Sequence, residues 1–176
     1  MAPTLRVQMG MFPGMDVYLD VPDGPNDSWF TPQRLFDVWN EEFRFTLDAA
    51  ACAESAKCSR FFTQEENGLV QDWAGDRVWL NPPYSNIAPW VQKAHDQVLA
   101  GADLVVGLLP AWPDRQWWQT LIEPYRDGKR GDGFGPAIQT RNLPGRIRFG
   151  YPGNPDAIGS DTPTFPSVLI IWRPHL

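Results

Sequence analysis

Asn81-Pro82-Pro83-Tyr84 is the stretch whose residue types can do chemistry. It follows Val78-Trp79-Leu80, a short apolar run of the kind a buried strand uses. Proline has no N–H, fixes its own φ and forces the residue before it into an extended conformation. The tetrapeptide therefore predicts a stiff turn at the carboxyl end of a strand, with Asn81 and Tyr84 held in set directions. Open α/β sheets bind their ligands at that end. A carboxamide, the free carbonyl of Pro82 and an aromatic ring side by side suit a flat heterocycle with an exocyclic amino group. The competing reading is structural: Pro-Pro after a strand also makes a rigid loop, and Asn before it also caps a turn.

The elements around this turn alternate between strand and helix patterns. Upstream, Thr31 at N-cap and Pro32 at the first helical position predict a helix with Leu35, Phe36, Trp39 and Phe43 on one face. Phe45 to Ala50 reads as the first strand, running into a small-residue turn, and Arg60 to Thr63 as the second; residues 51–59 leave room for only a very short helix. Downstream, Ser85-Asn86 can cap a helix carrying Trp90, Val91, Ala94, Val98 and Leu99, which Gly101 ends. The apolar run from Leu104 to Leu109 fits a strand buried on both faces, and Trp112 to Ile122 reads as a further helix. Residues 127–144 read as a loop, Arg146-Ile147-Arg148-Phe149 as a half-exposed strand, and Ser167 to Trp172 as the last strand. This order predicts an α/β fold of three layers with a mostly parallel twisted sheet. Residues 1–27 read as an irregular N-terminal arm before a single domain over 28–176.

Composition narrows the function classes. The chain has 176 residues, 43% hydrophobic, which is enough for one sizeable core. A net charge of −6 argues against a protein that coats nucleic acid non-specifically. The basic residues Lys129, Arg130, Arg141, Arg146 and Arg148 nevertheless fall within twenty residues, a local patch that can meet a polyanion. Cys52 and Cys58 have no histidine nearby, so a four-ligand zinc site is not expected and no metal is assigned. Free thiols in a reducing cytoplasm are the expectation for both, and no apolar run is long enough to span a bilayer.

The chain resembles a known family. Asn81-Pro82-Pro83-Tyr84 is similar to the catalytic motif of S-adenosylmethionine-dependent amino-methyltransferases acting on adenine N6. Trp29-Phe30-Thr31-Pro32, Thr46 to Ala51, Arg60-Phe61-Phe62-Thr63, Asn67-Gly68-Leu69 and Gln71-Asp72-Trp73 lie upstream. Leu108-Leu109-Pro110-Ala111, Gly145 to Phe149 and Thr164-Phe165-Pro166-Ser167 lie downstream. In that order they resemble the compact phage-type DNA N6-adenine methyltransferases (Dam-like), over roughly residues 28–173. The resemblance implies a Rossmann-like methyltransferase fold whose last two strands form an antiparallel hairpin at the sheet edge. It implies S-adenosylmethionine as cofactor and double-stranded DNA as partner; a monomer is assumed. Methylation that evades restriction is the role it implies.

It also implies site residues. Trp29, Thr31 and Pro32 would close over the methionine end of the cofactor, Asp48 with Ala49 would face it, and Asn81 would border it; an Asp48 that only caps the following turn is the alternative. Asp72 would accept from the cofactor's adenine amino group with Trp73 alongside; an exposed turn acid and a core tryptophan are the alternative. An acid from Glu65-Glu66 would suit the ribose hydroxyls, and a solvated surface pair is the equal alternative. Ala49-Ala50-Ala51 departs from the Gly-rich turn usual in methyltransferases. The catalytic set would be Asn81, Pro82, Pro83 and Tyr84, with Asn81 and the Pro82 carbonyl accepting the N6 hydrogens and Tyr84 stacking on a flipped base. Lys129, Arg130, Arg141, Arg146 and Arg148 would contact phosphates. Protein glutamine or RNA amino groups as acceptors, and a non-catalytic DNA-binding relative, remain as alternatives.

Overall fold

The computed structural model describes residues 5–9, 17–21, 27, 29–129, 133–153 and 165–174, the first two stretches as backbone alone. The strands are β1 (Leu5–Met9), β2 (Val17–Val21), β3 (Leu47–Asp48), β4 (Arg60–Phe61), β5 (Arg77–Leu80), β6 (Leu104–Pro110), β7 (Ala137–Asn142) and β8 (Ser167–Arg173). The helices are α1 (Gln33–Phe43), α2 (Ile87–Ala100) and α3 (Gln116–Leu121). Six strands form one sheet in the order β4-β3-β5-β6-β8-β7. The pairings among β4, β3, β5 and β6 are parallel; β8 and β7 join antiparallel.

The middle of this sheet is made by residues that have nothing to offer water. Every residue of β6 is buried, as are Val78, Trp79 and Leu80 of β5 and Val168 to Trp172 of β8. α1 covers β5 with aromatic rings: Trp39 stacks on Trp79 with centroids 5.5 Å apart, and Phe36 meets Trp79 edge-on at 5.6 Å. The helix stops because Arg44 turns left-handed (φ 53°) and Asn40 Oδ1 accepts the next free amide, that of Phe45, at 2.8 Å. Arg77 Nε then donates to the Phe43 carbonyl at 2.6 Å, tying the helix end to the start of β5.

Four sequence expectations are corrected here. Thr31 does not cap α1: Pro32 holds the N-cap position with no side-chain hydrogen bond, and the helix begins at Gln33. No helix forms within 51–59, where turns at 53–55 suffice to reach β4. The hairpin partner of β8 is β7, within the stretch read as loop, while 146–149 pairs with no strand among the described residues. The alternation at 146–149 is real, with Ile147 and Phe149 buried and Arg146 and Arg148 exposed, but it arises from a segment lying across the fold. Gly150, just beyond it, exchanges main-chain hydrogen bonds with Phe30. Lastly, the N-terminal stretch read as irregular holds an antiparallel pair, β1 with β2, Leu5 opposite Val21. Leu5-Arg6-Val7-Gln8-Met9 alternates with a period of two, a signal too short to stand out among the surrounding Gly, Pro and Asp.

Ala49 follows β3 directly and is fully buried, which raises the question of what lets the chain pass so close. The answer is Gly68. A Cβ on Gly68 would sit 2.1 Å from the Ala49 carbonyl oxygen, so only a glycine there lets the two main chains approach so closely. The Gly68 carbonyl accepts from Trp73 Nε1 at 3.1 Å, fixing that loop to the core. Gly68→Ala is expected to destabilise the protein by about 1–3 kcal/mol through overpacking. Chemical denaturation checks this, and an unchanged midpoint would contradict the close approach.

Candidate active site

Two parallel strands place the candidate residues. Asp48, the last residue of β3, is in register with Trp79 of β5, and Asn81 follows two positions after Trp79, directly beyond the strand's end. Both residues therefore sit at the carboxyl edge of the sheet and line one cavity of about 420 Å³. Trp29, Phe30 and Thr31 border it from the N-terminal side, Lys57 and Gly68 from the loops beyond β3 and β4, and Trp90 from α2.

Asp48 is 2% exposed. Its Oδ2 accepts from the Lys57 amide at 3.0 Å and its Oδ1 from the Ala50 amide at 3.4 Å. Burial dominates those two contacts and the Lys57 charge, and pushes the carboxyl from 3.8 up to about 6. Burial, helped by the charges of Asp48 and Asp76, likewise pushes the Cys58 thiol up to about 12 and keeps it a thiol. Thr31 is 2% exposed and its Oγ1 has no hydrogen-bond partner among the described residues. A buried hydroxyl of that kind carries a desolvation cost unless something else pairs with it.

Asn81 is half-buried and its carboxamide is engaged at both ends. Nδ2 donates to the Trp29 carbonyl at 2.6 Å, and Oδ1 accepts from the Tyr84 hydroxyl at 2.9 Å. The Tyr84 hydroxyl also lies 3.0 Å from the Leu108 carbonyl. Tyr84 is not the open stacking face expected of it. It is 8% exposed, with Phe149 and Phe165 packed edge-on at 6.3 and 5.6 Å, and burial holds its phenol well above the ordinary range. The reason is the Pro-Pro turn, which aims the ring back over β6 toward Leu108. Pro83 lines the cavity; Pro82 is buried beside it.

Of the remaining expected cofactor residues, Pro32 and Ala49 lie next to the cavity wall without lining it. Asp72 and Trp73 stay away from it. Asp72 Oδ1 closes a turn by accepting from the Ala74 amide at 2.9 Å, and Trp73 is fully buried core. Glu66 accepts from the Thr63 amide at 2.9 Å, and neither glutamate lines the cavity, where Gln64 stands instead. Sequence reasoning missed the roles of Lys57, Gly68 and Trp90; the Asn67-Gly68 pair, with Asn67 at φ 53°, was the available turn signal.

The expected basic patch is divided by the sheet. Lys129 lies in the loop leading into β7, whose first residue pairs with Arg173 at the edge opposite Asn81, and its ammonium bonds Glu123. Arg141 is held by both oxygens of Glu42 at 2.7 Å, with its guanidinium 5.2 Å from the Phe43 ring. Arg146 and Arg148 are exposed on the segment that leaves β7 at the edge of the sheet that carries Asn81. Arg130 lies outside the described residues.

A cavity at the carboxyl ends of parallel strands, flanked by a buried acid and a proline-stiffened turn, lies at the edge where open α/β sheets bind their ligands. Residues 20–175 match the family described as DNA N-6-adenine-methyltransferase (Dam), and the chain belongs to that family. It is 36% identical over 98 residues to the DNA N-6-adenine-methyltransferase of Haemophilus phage HP1, covering 54% of this chain and 57% of that one. It is 36% identical over 101 residues to the DNA N-6-adenine-methyltransferase of Escherichia phage T1, covering 56% of this chain and 42% of that one. The matched regions thus span about half the length of these relatives.

Asp48 yields a prediction whose sign is unusual for an acid. Its folded value near 6 lies above the ordinary 3.8, so the folded chain holds a proton there that the unfolded chain has released. The stability it contributes is present below about pH 4 and is lost as pH rises through about 6. A displacement of that size corresponds to about 3 kcal/mol. The difference in unfolding free energy between Asp48→Asn and wild type should therefore move in favour of the variant between about pH 4.5 and about pH 7.5. A pH-independent difference would contradict the buried carboxylate.

Proposed function

We propose that the protein transfers a methyl group from S-adenosylmethionine to the N6 amino group of adenine in duplex DNA, on a three-layer Rossmann-like methyltransferase fold. The observation that carries this reading is that Asp48 and Asn81 share one cavity at the carboxyl ends of adjacent parallel strands, in a chain of the Dam family.

The residues present fit the cofactor. Thr31 Oγ1 is buried at the cavity wall without a partner among the described residues, a polar atom that a bound ligand can pair with. Asp48 offers a carboxylate whose hydrogen bonds come from backbone amides. When bound, S-adenosylmethionine supplies an electrophilic methyl group on a sulfonium. The Asp48 carboxylate attracts the cationic end of such a ligand, and the rings of Phe30 and Trp90 shield its apolar parts from water. Asn81 Oδ1 and the Pro82 carbonyl accept the two hydrogens of the target amine, whose lone pair is otherwise delocalised into the ring. That favours the pyramidal nitrogen of the transition state, and contacts of this kind are worth about 3 kcal/mol each. Direct transfer needs no covalent intermediate, consistent with Cys58 held protonated.

The target base is drawn out of the duplex at a cost of a few kcal/mol. Because the Tyr84 ring is buried, the half-buried rings of Phe165 and Trp112, which continue outward from it in edge-on contacts, provide the surface for the extruded base. Arg146 and Arg148 contact phosphates at the same edge. The protein works in the cytoplasm, where its substrate lies.

Asn81→Ala tests the reading. At saturating cofactor its methyl transfer to adenine-containing duplex DNA should fall about 10²–10³-fold. It should also lose about 1–2 kcal/mol of stability with its two hydrogen bonds. A wild-type rate in the variant contradicts the two-acceptor chemistry. For the DNA surface, replacing Arg146 and Arg148 by glutamine should flatten the fall of DNA affinity with salt, whereas Lys129→Gln should leave the slope unchanged. The reverse pattern would move the DNA to the other edge of the sheet.

A further inference from the structure

Lys57 is fixed through its main chain and through its side chain. Its amide donates to Asp48 Oδ2 at 3.0 Å, and its ammonium donates to Gln33 Oε1 at 3.2 Å. Gln33 is the first residue of α1, and its own Nε2 donates to Asp37 Oδ1, one turn further on, at 2.7 Å. A carboxamide that gives its nitrogen to a carboxylate turns its oxygen toward the ammonium, so the Asp37 contact sets the sense of the Lys57 contact. The Lys57 side chain is thereby drawn from beside Asp48 to the start of α1. Lys57 and Asp48 both line the cavity, and so does Thr31, two residues before the helix.

The cavity wall therefore carries an ammonium and a carboxyl group together, and the Lys57 charge acts on the Asp48 carboxyl. The end of the wall near Gln33 is positive for a second reason. α1 starts with no side-chain cap and no acid in its first turn. The partial positive charge of such a helix start favours an anion and disfavours a cation. Asp48 has the opposite preference. A ligand group with one charge of each sign satisfies both in one orientation only, and a free amino-acid end is such a group. An ammonium has three donors, so the bond to Gln33 does not by itself exhaust Lys57.

We propose that Lys57 is a specificity-determining residue whose ammonium, positioned by Gln33, holds the carboxylate of a zwitterionic amino-acid end in this cavity. Asp48 faces the ammonium of the same end. The assignment rests on the S-adenosylmethionine reading above and adds the residue that selects ligands with an intact carboxylate.

Binding to the full chain, measured by calorimetry without DNA, tests the assignment with three ligands. S-adenosylmethionine and its decarboxylated form differ in the carboxylate alone, and methylthioadenosine lacks the amino-acid end altogether. Wild type should bind S-adenosylmethionine roughly tenfold or more tightly than the decarboxylated form. Lys57→Met keeps most of the side chain's length and removes its charge. It should lose that preference, with affinity for S-adenosylmethionine falling by about the same factor. Its affinity for the decarboxylated form should stay the same or rise, because a positive charge facing a cationic ligand is gone. Methylthioadenosine should bind as it does to wild type, which also shows that the variant is folded. Lys57→Arg should restore most of the preference, and Gln33→Leu should weaken it to a lesser degree. Equal affinity of wild type for the first two ligands overturns the assignment, as does an equal fall for both in Lys57→Met. A full preference in Gln33→Leu overturns the positioning role of Gln33. If wild type binds none of the three, the S-adenosylmethionine reading fails and the assignment falls with it. If the preference behaves as stated and no methyl group reaches DNA, the assignment stands and the acceptor in the functional reading is wrong.

Discussion

The register between β3 and β5 is the constraint on which the rest depends. Asp48 pairs with Trp79 in a parallel ladder, so the chain leaves both strands at the same edge. A slip of one residue would turn Trp79 away from Trp39 and Phe36, and register is strongly specified wherever a face is buried in this way. The aromatic packing of α1 against Trp79 therefore does more than fill the core. It sets the register in which a buried acid and a stiff carboxamide turn, brought to one edge by the parallel pairing, border one cavity.

Once that edge is formed, two polar groups are left in unfavourable surroundings. Asp48 ionises only against burial, and Thr31 Oγ1 is buried without a partner among the described residues. Both residues line the cavity. Strain and unmet polar groups concentrate where function requires them, and a ligand with a cationic end relieves the first cost while a polar atom near Thr31 relieves the second. The turn at 81–84 shows the opposite condition. Asn81 and Tyr84 are engaged with each other, with Trp29 and with Leu108, so the carboxamide's orientation is set in advance of any ligand.

The strongest local signals in the sequence are those with long apolar runs or stiff residues. The strands at 78–80 and 104–109, the presence of a helix beginning near Pro32 and the turn at 81–84 were legible because prolines and uninterrupted burial leave few alternatives. The cavity wall was legible as far as Asp48, Asn81, Trp29 and Thr31, whose neighbours in sequence are strand ends or helix starts. Asp72 and Trp73 stand apart from that wall because position after a strand says nothing about which way a side chain turns; here it turns into a local bend and into the core. The basic patch came apart for a topological reason. Residues within twenty positions in sequence were sent to opposite edges by one antiparallel strand, β7, whose weak apolar pattern, Ala137-Ile138-Gln139-Thr140-Arg141-Asn142, reads as loop. The burial of Tyr84 was illegible because a stiff turn fixes direction without revealing it, and Phe149 and Phe165 come from distant parts of the chain.

The most direct test of the central claim is the identity of the modified base. Duplex DNA incubated with wild-type protein and S-adenosylmethionine, then digested to nucleosides and analysed by mass spectrometry, should contain N6-methyladenosine as its deoxynucleoside, with none formed by Asn81→Ala under the same brief exposure. Methylated cytosine in its place, or methyl groups found on RNA or protein but never on DNA, would contradict the account.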